Sequence, residues 1–312
     1  MLKQIAGRLL TAIPVLFVVM LLSFSLVSLM PGDPAQTLAG DSATPAQIHD
    51  LRVKLGLNEP IIDRFATYIG HVAAADLGKS LYSSRPVTTL IGEALPVTAS
   101  LALVAILMAL LMAIPAGMWA AFRRDGIVDH VVTSTSALGL AVPQFVVAFP
   151  LIVFFAVDHR WFPATGYAPV AAGFWEWLRH LVLPGFALAL GTASELTRQI
   201  RGSMVDTLEQ DYIRTGRAMG LGSSAVVKHA LKNSATPVVT VLGLQVGRIL
   251  GGAVIVEAVF ALPGFGSLAY LAVSQQDIPV IQGVVLVSAL VVLVANLLTD
   301  MTYVYLNPKL RH

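Results

Sequence analysis

No cysteine occurs anywhere in the 312 residues, which removes disulfides, thiolate metal sites and cysteine nucleophiles from consideration. Charge is scarce too. Asp, Glu, Lys and Arg make up 12% of the chain, against about 25% in a soluble domain. The net charge of +2 is too small to argue for a nucleic-acid partner. The seven His are scattered, with no ligand-like spacing between any two. No GxSxG or HExxH motif occurs and no His falls deep in an apolar run, which argues against an intramembrane hydrolase. There is no fixed-period repeat of the kind many secondary transporters carry. What fills the chain is apolar: 56% hydrophobic residues and a mean hydropathy of +0.77. One soluble core cannot hide that much apolar surface, so lipid must be the solvent.

A bilayer core of roughly 30 Å needs about 20 apolar residues in a helix. Six runs qualify: 9–30, 96–122, 131–157, 181–197, 237–260 and 280–303. The fourth is the shortest and carries Pro184, Gly185 and Gly191. The first follows Lys3 and Arg8, but it is longer than a signal-peptide core and ends in no small-x-small cleavage site. It reads as an uncleaved membrane helix. The expectation is an all-α polytopic membrane protein of six transmembrane helices. Lys and Arg of the short loops (Arg123, Arg124, Arg198, Arg201, Arg214, Arg217, Lys228, Lys232) gather on the side that also holds both termini. The positive-inside rule puts that side in the cytoplasm.

The organisation expected is an N-terminal helix over 1–30, an extracytoplasmic piece over 31–95, a core of spans over 96–303 and a cytoplasmic tail over 304–312. Residues 199–236 form a long cytoplasmic loop within the core. In the outer piece, Pro31-Gly-Asp-Pro34 makes a rigid turn, Thr44 caps a helix with Pro45 at its first position, and Gly56 suits its end. A second helix starts at Pro60 with Ile61, Phe65, Tyr68 and Ile69 on one face. This piece is a solvated cap or a docking surface, and its length and predicted fold favour docking. In the cytoplasmic loop, Gly220-Leu-Gly222 separates a helix before from a helix after. On charge alone the loop reads as a solvated basic segment. Held on two spans, it also forms a rigid lever. Leu77-Gly-Lys-Ser80 matches the tail of a phosphate-binding loop, but Ala73 stands where that loop needs Gly and no strand precedes it.

The segment from Asp211 to Leu221 (DYIRTGRAMGL), followed by Lys228-His-Ala-Leu-Lys-Asn233 and Pro237, resembles the cytoplasmic loop of binding-protein-dependent ABC importer permeases. Within that family it resembles the dipeptide, oligopeptide and nickel branch. Gly220 matches the Gly of the general motif. Arg214, Thr215 and Gly216 stand at its Glu-Ala-Ala positions and Asn233 at its Pro position, departures expected of the peptide branch. Pro31-Gly-Asp-Pro34, Leu55-Gly-Leu-Asn-Glu-Pro60, Asp76-Leu-Gly-Lys-Ser80 and Leu95-Pro-Val-Thr98 resemble the N-terminal half of the branch's B-type subunit. Glu257-Ala-Val-Phe-Ala-Leu-Pro-Gly-Phe-Gly266, Asp277-Ile-Pro279 and Asn307-Pro-Lys-Leu-Arg311 resemble its C-terminal half.

The resemblance implies a type I ABC importer permease fold in a bacterial inner membrane. It implies a second permease as heterodimer partner, two ABC ATPases (or one fused ATPase) that bind ATP and Mg, and an extracytoplasmic peptide-binding protein. The chain itself would carry no cofactor, no metal and no catalytic residue. Asp211, Tyr212, Arg214, Thr215, Arg217, Ala218, Gly220 and Leu221 would contact an ATPase, and Asp33, Arg52, Arg64 and Tyr68 would dock the binding protein. Transport would proceed by alternating access. A nickel importer of the same family remains a rival, as does an ATP-independent channel or secondary transporter.

Polar residues inside the spans are the substrate-pathway candidates: Gln245, Arg248, Glu257, Asn296 and Asp300. An unpaired charge at mid-membrane costs at least a few kcal/mol. Arg248 is therefore expected to face the bundle interior and to pair with Asp300, either within a pathway or as a purely structural pair. Glu257 lies half a turn round the helix from Arg248. It reads as an interfacial or helix-end residue, with contact to a peptide amine as the alternative. Gly243, Gly247 and Gly251 recur every four residues, a spacing that suits close helix packing.

Overall fold

The computed structural model describes residues 2–29, 34–39, 43–54, 56, 58–220 and 222–306. Among them no strand forms beyond an isolated bridge between Lys79 and Pro86. The helices run α1 (Leu2–Leu29), α2 (Pro34–Ala39), α3 (Pro45–Lys54), α4 (Ile61–Ala73), α5 (Val87–Phe122), α6 (Ile127–Ala141) and α7 (Gln144–Leu151). A π-helical segment, Ile152–Asp158, continues α7. Then follow α8 (Phe174–Leu208), α9 (Asp211–Ala218), α10 (Ser223–Val259), α11 (Phe265–Ser274) and α12 (Ile278–Leu306). Residues 30–33, Leu221 and 307–312 lie outside the described part, and with them one end of the first span, Asp33 and the C-terminal tail.

Three helical stretches, Val87–Phe122, Val238–Val259 and Ile278–Thr302, are long and apolar enough to cross a membrane. A fourth crossing results if α6 and the α7–π segment count as one broken span. The run 131–157 is thus not the single helix expected. It bends by 100° between Ala141 and Gln144. Pro143 supplies no N–H and forces Val142 into an extended conformation (φ −83°, ψ 122°), which ends α6. The span expected at 181–197 lies within the 35-residue α8, whose centre is heavily buried by its neighbours. A helix sheathed by protein needs less hydropathy than one facing lipid. In α1 the qualifying apolar stretch, Leu10–Ser25, is a shorter one.

The chain divides into two compact units. One comprises residues 1–5, 96–267 and 292–312, and the other 6–95 and 268–291. The first is built round α8. Leu181, Leu188, Leu196, Ile200 and Met204 of α8 pack against Leu101 and Ala109 of α5 and against Ile249, Ala253 and Val256 of α10. Small residues let these helices approach: a Cβ on Gly117 of α5 would lie 2.9 Å from Ile200, and one on Gly185 of α8 would lie 2.9 Å from Val104.

In the second unit α3 and α4 show their sequence signals. Thr44 opens α3 with a capping box. The Gln47 N–H donates to Thr44 Oγ1, and Gln47 Oε1 accepts the Thr44 N–H at 2.9 Å. Gly56 takes the left-handed conformation (φ +64°) after α3. Phe65 and Tyr68 of α4 pack on Phe17 and Phe24 of α1, with ring centroids 5.2–6.0 Å apart. The Asp76–Ser80 turn is fastened to the start of α12. Ser80 donates its hydroxyl to the buried Asp277 at 2.6 Å, and the Leu81 N–H donates to the same carboxylate at 3.2 Å. Within the turn, the N–H of Gly78 holds the Asp76 carboxyl below the usual carboxylate range. Leu77-Gly-Lys-Ser80 therefore forms a side-chain-anchored turn and no phosphate cradle.

Candidate functional site

The loop read as a lever is a short amphipathic helix set between two long ones. In α9, Ile213 and Gly216 are buried, while Asp211, Tyr212, Arg214, Thr215 and Ala218 face outward. Asp211 stands in the first turn, where a carboxylate suits the helix dipole, and it pairs with Arg214 at 3.8 Å. Gly220 has φ +86°, the left-handed conformation that closes helices and that only Gly adopts without cost. It turns the chain from α9 into α10. Met219 stands beside it with 76% of its surface exposed. Among the expected contact residues, Leu221 is not described, nor is the side chain of Arg217.

Two ion pairs brace the helix ends next to α9. Arg201 of α8 donates through Nε and Nη2 to the carboxylate of Asp129 in the first turn of α6, the Nη2 contact at 2.5 Å. The N–H of Asp125 also donates to Asp129, at 3.0 Å. Asp129 is almost wholly buried and Arg201 partly so. Nearby, Arg124 donates to Glu209, which directly follows α8. The sequence reading placed Arg124 and Arg201 on the basic side but gave neither a partner. The partners lie 85 and 72 residues away, beyond the reach of any local pattern.

A polar stripe runs along α10. Gln245, Arg248 and Gly252 share one face at i, i+3 and i+7. Gln245, 3% exposed, donates to Glu195 Oε2 of α8 at 2.7 Å. Arg248 donates to the same oxygen. The side-chain amide of Gln144, the first residue of α7, rests on Gly252, where a Cβ would come within 2.5 Å of its Oε1. The expected pair between Arg248 and Asp300 does not form, because Arg248 takes Glu195. The reason is angular. The side of α10 that meets α12 is that of Gly243, where a Cβ would lie 2.4 Å from Thr299 Oγ1, and Arg248 points about 140° away from it at 100° per residue. Asp300 is half-buried and Asn296 exposed on α12.

Of the glycine stripe, Gly243 makes the close approach, a Cβ on Gly247 would lie 4.0 Å from Val292, and one on Gly251 would meet open space. Gly243→Leu should therefore cost about 1–3 kcal/mol by overpacking, while Gly251→Leu is expected to be tolerated. Melting of the two purified variants by tryptophan fluorescence checks this, and equal midpoints would refute it.

Glu257 is fully buried. Its carboxyl accepts the Thr98 hydroxyl of α5 and, at 2.9 Å, the N–H of Ser267 in α11. Thr98 Oγ1 in turn accepts the N–H of Phe265 at 2.8 Å. Gly264 and Gly266 leave the room: a Cβ on Gly264 would lie 2.3 Å from the Glu257 carboxyl, and one on Gly266 would lie 2.6 Å from the backbone of Val254. Glu257 thus sits apart from the Gln245–Arg248 stripe and ties α5, α10 and α11 together.

Two family models cover nearly the whole chain. Residues 113–312 match the binding-protein-dependent transport system inner membrane component, and residues 1–102 match the N-terminal region of such membrane components. The chain belongs to this family of inner membrane transport components. It is 39% identical over 309 residues to a putative peptide transport system permease protein of Brucella abortus, covering 99% of this chain and 98% of that one. It is 36% identical over 333 residues to the dipeptide transport system permease protein of Alkalihalophilus pseudofirmus, covering all of both. It is 39% identical over 313 residues to the glutathione transport system permease protein of Salmonella choleraesuis, again covering all of both.

Of the expected docking residues of this transport component, Asp33 lies outside the described residues and the other three differ in exposure. Arg52 is exposed on α3. Arg64 lies over the Phe24 ring at 5.7 Å, and Tyr68 is half-buried beneath it, where burial raises its phenol above the ordinary value.

Proposed function

We propose that the chain is the permease subunit of an ATP-driven, binding-protein-dependent peptide importer in a bacterial inner membrane. α1, α5, the broken α6–α7 pair, α8, α10 and α12 are its six spans in a type I importer fold. Both termini and α9 lie in the cytoplasm. The observation that carries this reading is α9: a two-turn helix with an outward polar face and an exposed Met219, sealed by a left-handed Gly220 between the ends of α8 and α10. A short rigid knob of this kind fits a cleft on a partner ATPase. The full-length similarity to peptide, dipeptide and glutathione permeases supports a peptide cargo.

The chain carries no ATPase site in this reading. Two ABC ATPases, or one fused ATPase, bind ATP and Mg, a second permease completes a heterodimer, and an extracytoplasmic binding protein delivers the peptide to α2–α4. Nucleotide-driven closure of the ATPases and docking of the binding protein then bias the same two-state bundle. Arg248, Asn296 and Asp300 line the pathway, and the buried Gln245 supports it through Glu195.

The test is purification of the tagged chain from its native membrane in mild detergent, with mass spectrometry of its companions. A second permease and ATPases should co-purify. Recovery of the chain alone would sink the reading and favour a channel or secondary transporter. Gly220→Leu should then give hydrolysis without uptake, because a side chain at φ +86° costs about 1–2 kcal/mol and reshapes the end of the knob. Unimpaired coupling in that variant would remove α9 from the ATPase contact.

A further inference from the structure

Arg248 is 68% exposed on a helix apolar enough to cross a membrane, and its partner Glu195 is 34% exposed. A guanidinium at that depth cannot face lipid, so this side of α10 and α8 borders water or protein. The pair is also incompletely satisfied. Gln245 and Arg248 both donate to Glu195 Oε2. Among the described residues nothing donates to Glu195 Oε1, and Arg248 donates only through Nη1. The free edge of a guanidinium is a planar fork that matches a carboxylate, and a carboxylate oxygen with open lone pairs matches an ammonium. Two amides flank the charges on the same face, Gln245 within the pair and Gln144 one turn along on Gly252. Side-chain amides are what a peptide bond hydrogen-bonds to.

We propose that Glu195 and Arg248 form a subsite that reads the charged ends of a peptide as it crosses. Arg248 takes the C-terminal carboxylate and Glu195 the N-terminal ammonium, while Gln144 faces the peptide bond and the buried Gln245 holds Glu195 in place. Without substrate the two side chains neutralise each other, so the pathway at rest exposes no bare charge. A zwitterion brings one charge of each sign and exchanges with the pair without changing the net charge of the site. Acylated or amidated peptides bring only one and leave a protein charge unmatched. The proposal rests on the peptide-importer reading and adds to it the two residues and the chemical groups they select.

The experiment uses the complete assembly in proteoliposomes with its binding protein. It follows ATP-driven uptake of one labelled dipeptide in three forms: free, C-terminally amidated and N-acetylated. Each variant is compared with the parent for the same peptide, which cancels the preference of the binding protein. Arg248→Gln should lower uptake of the free and N-acetylated peptides about tenfold, the worth of one charge-assisted hydrogen bond, and leave the amide within about twofold. Glu195→Gln should lower the free and amidated peptides similarly and spare the N-acetyl form. Arg248→Lys keeps the cation but loses the fork, and should shift selectivity in the same direction by a smaller factor. Equal losses for all three peptides, or no loss, would overturn the subsite while leaving the importer reading intact. Parent vesicles that import none of the three on ATP would overturn both.

Discussion

Glu257→Ala should yield a protein that inserts into the membrane but melts far below the parent. The substitution leaves the partly buried Ser267 N–H without an acceptor, takes from the buried Thr98 hydroxyl its carboxyl partner, and opens a void where the side chain was fully enclosed. An orphaned buried donor costs about 1–3 kcal/mol, and a side-chain cavity adds a comparable amount. The expected total, about 3–5 kcal/mol, is a large fraction of the stability of any domain. Glu257→Gln keeps the volume, and its one carbonyl oxygen can accept the Ser267 N–H while its NH2 donates to Thr98 Oγ1, so it should retain most of that stability. Gly266→Ala attacks the same knot from the other side, since its Cβ would meet the Val254 backbone at 2.6 Å, and it should destabilise as much as the alanine at 257. Detergent-resistant melting by intrinsic fluorescence ranks the three. If Glu257→Ala melts with the parent, the knot does not hold α5, α10 and α11 together.

Asp129→Ala should be nearly as damaging and should also impair coupling. It strips the partly buried guanidinium of Arg201 of its two-pronged partner, and breaking such a pair from one side costs about 3–5 kcal/mol. The location gives the second effect. Arg201 lies on α8 shortly before α9, and Asp129 lies in the first turn of α6. In the proposed importer, movement of α9 is passed to α6 through this brace. A double variant, Asp129→Leu with Arg201→Met, should recover stability because no unpaired charge remains, yet transport per ATP hydrolysed should stay low. Recovery of both properties together would mean that the pair only holds the fold.

What the sequence carried well were features with a local cause. Thr44 and Pro45 announce the start of α3, Gly56 takes a left-handed φ after it, and Gly220 does the same between α9 and α10, each through backbone chemistry confined to a few residues. The break in the third apolar run was also written locally, in Pro143, but an uninterrupted hydropathy signal hides a bend that leaves both halves apolar. The partners of the charged residues were not legible. Arg248 takes Glu195 at a separation of 53 residues, and the choice between Glu195 and Asp300 depends on which face of α10 meets which helix. The segments that carry the family resemblance gain a physical meaning here. Asp76-Leu-Gly-Lys-Ser80 meets Asp277-Ile-Pro279 through Ser80 and Asp277, and Leu95-Pro-Val-Thr98 meets Glu257 and Phe265 through Thr98. Each of these two early motifs is one half of a hydrogen-bonded joint whose other half lies in the last fifth of the chain.

The joints at Thr98 and Ser80 span 159 and 197 residues. A ribosome adding about 5–20 residues per second therefore leaves Ser80 and Thr98 waiting roughly 10–40 s for their acceptors. Until then α5 holds Thr98 without its carboxyl partner, and the Asp76–Ser80 turn is held by its local hydrogen bonds alone. A chain interrupted before Glu257 never acquires those acceptors, so neither joint can form in it.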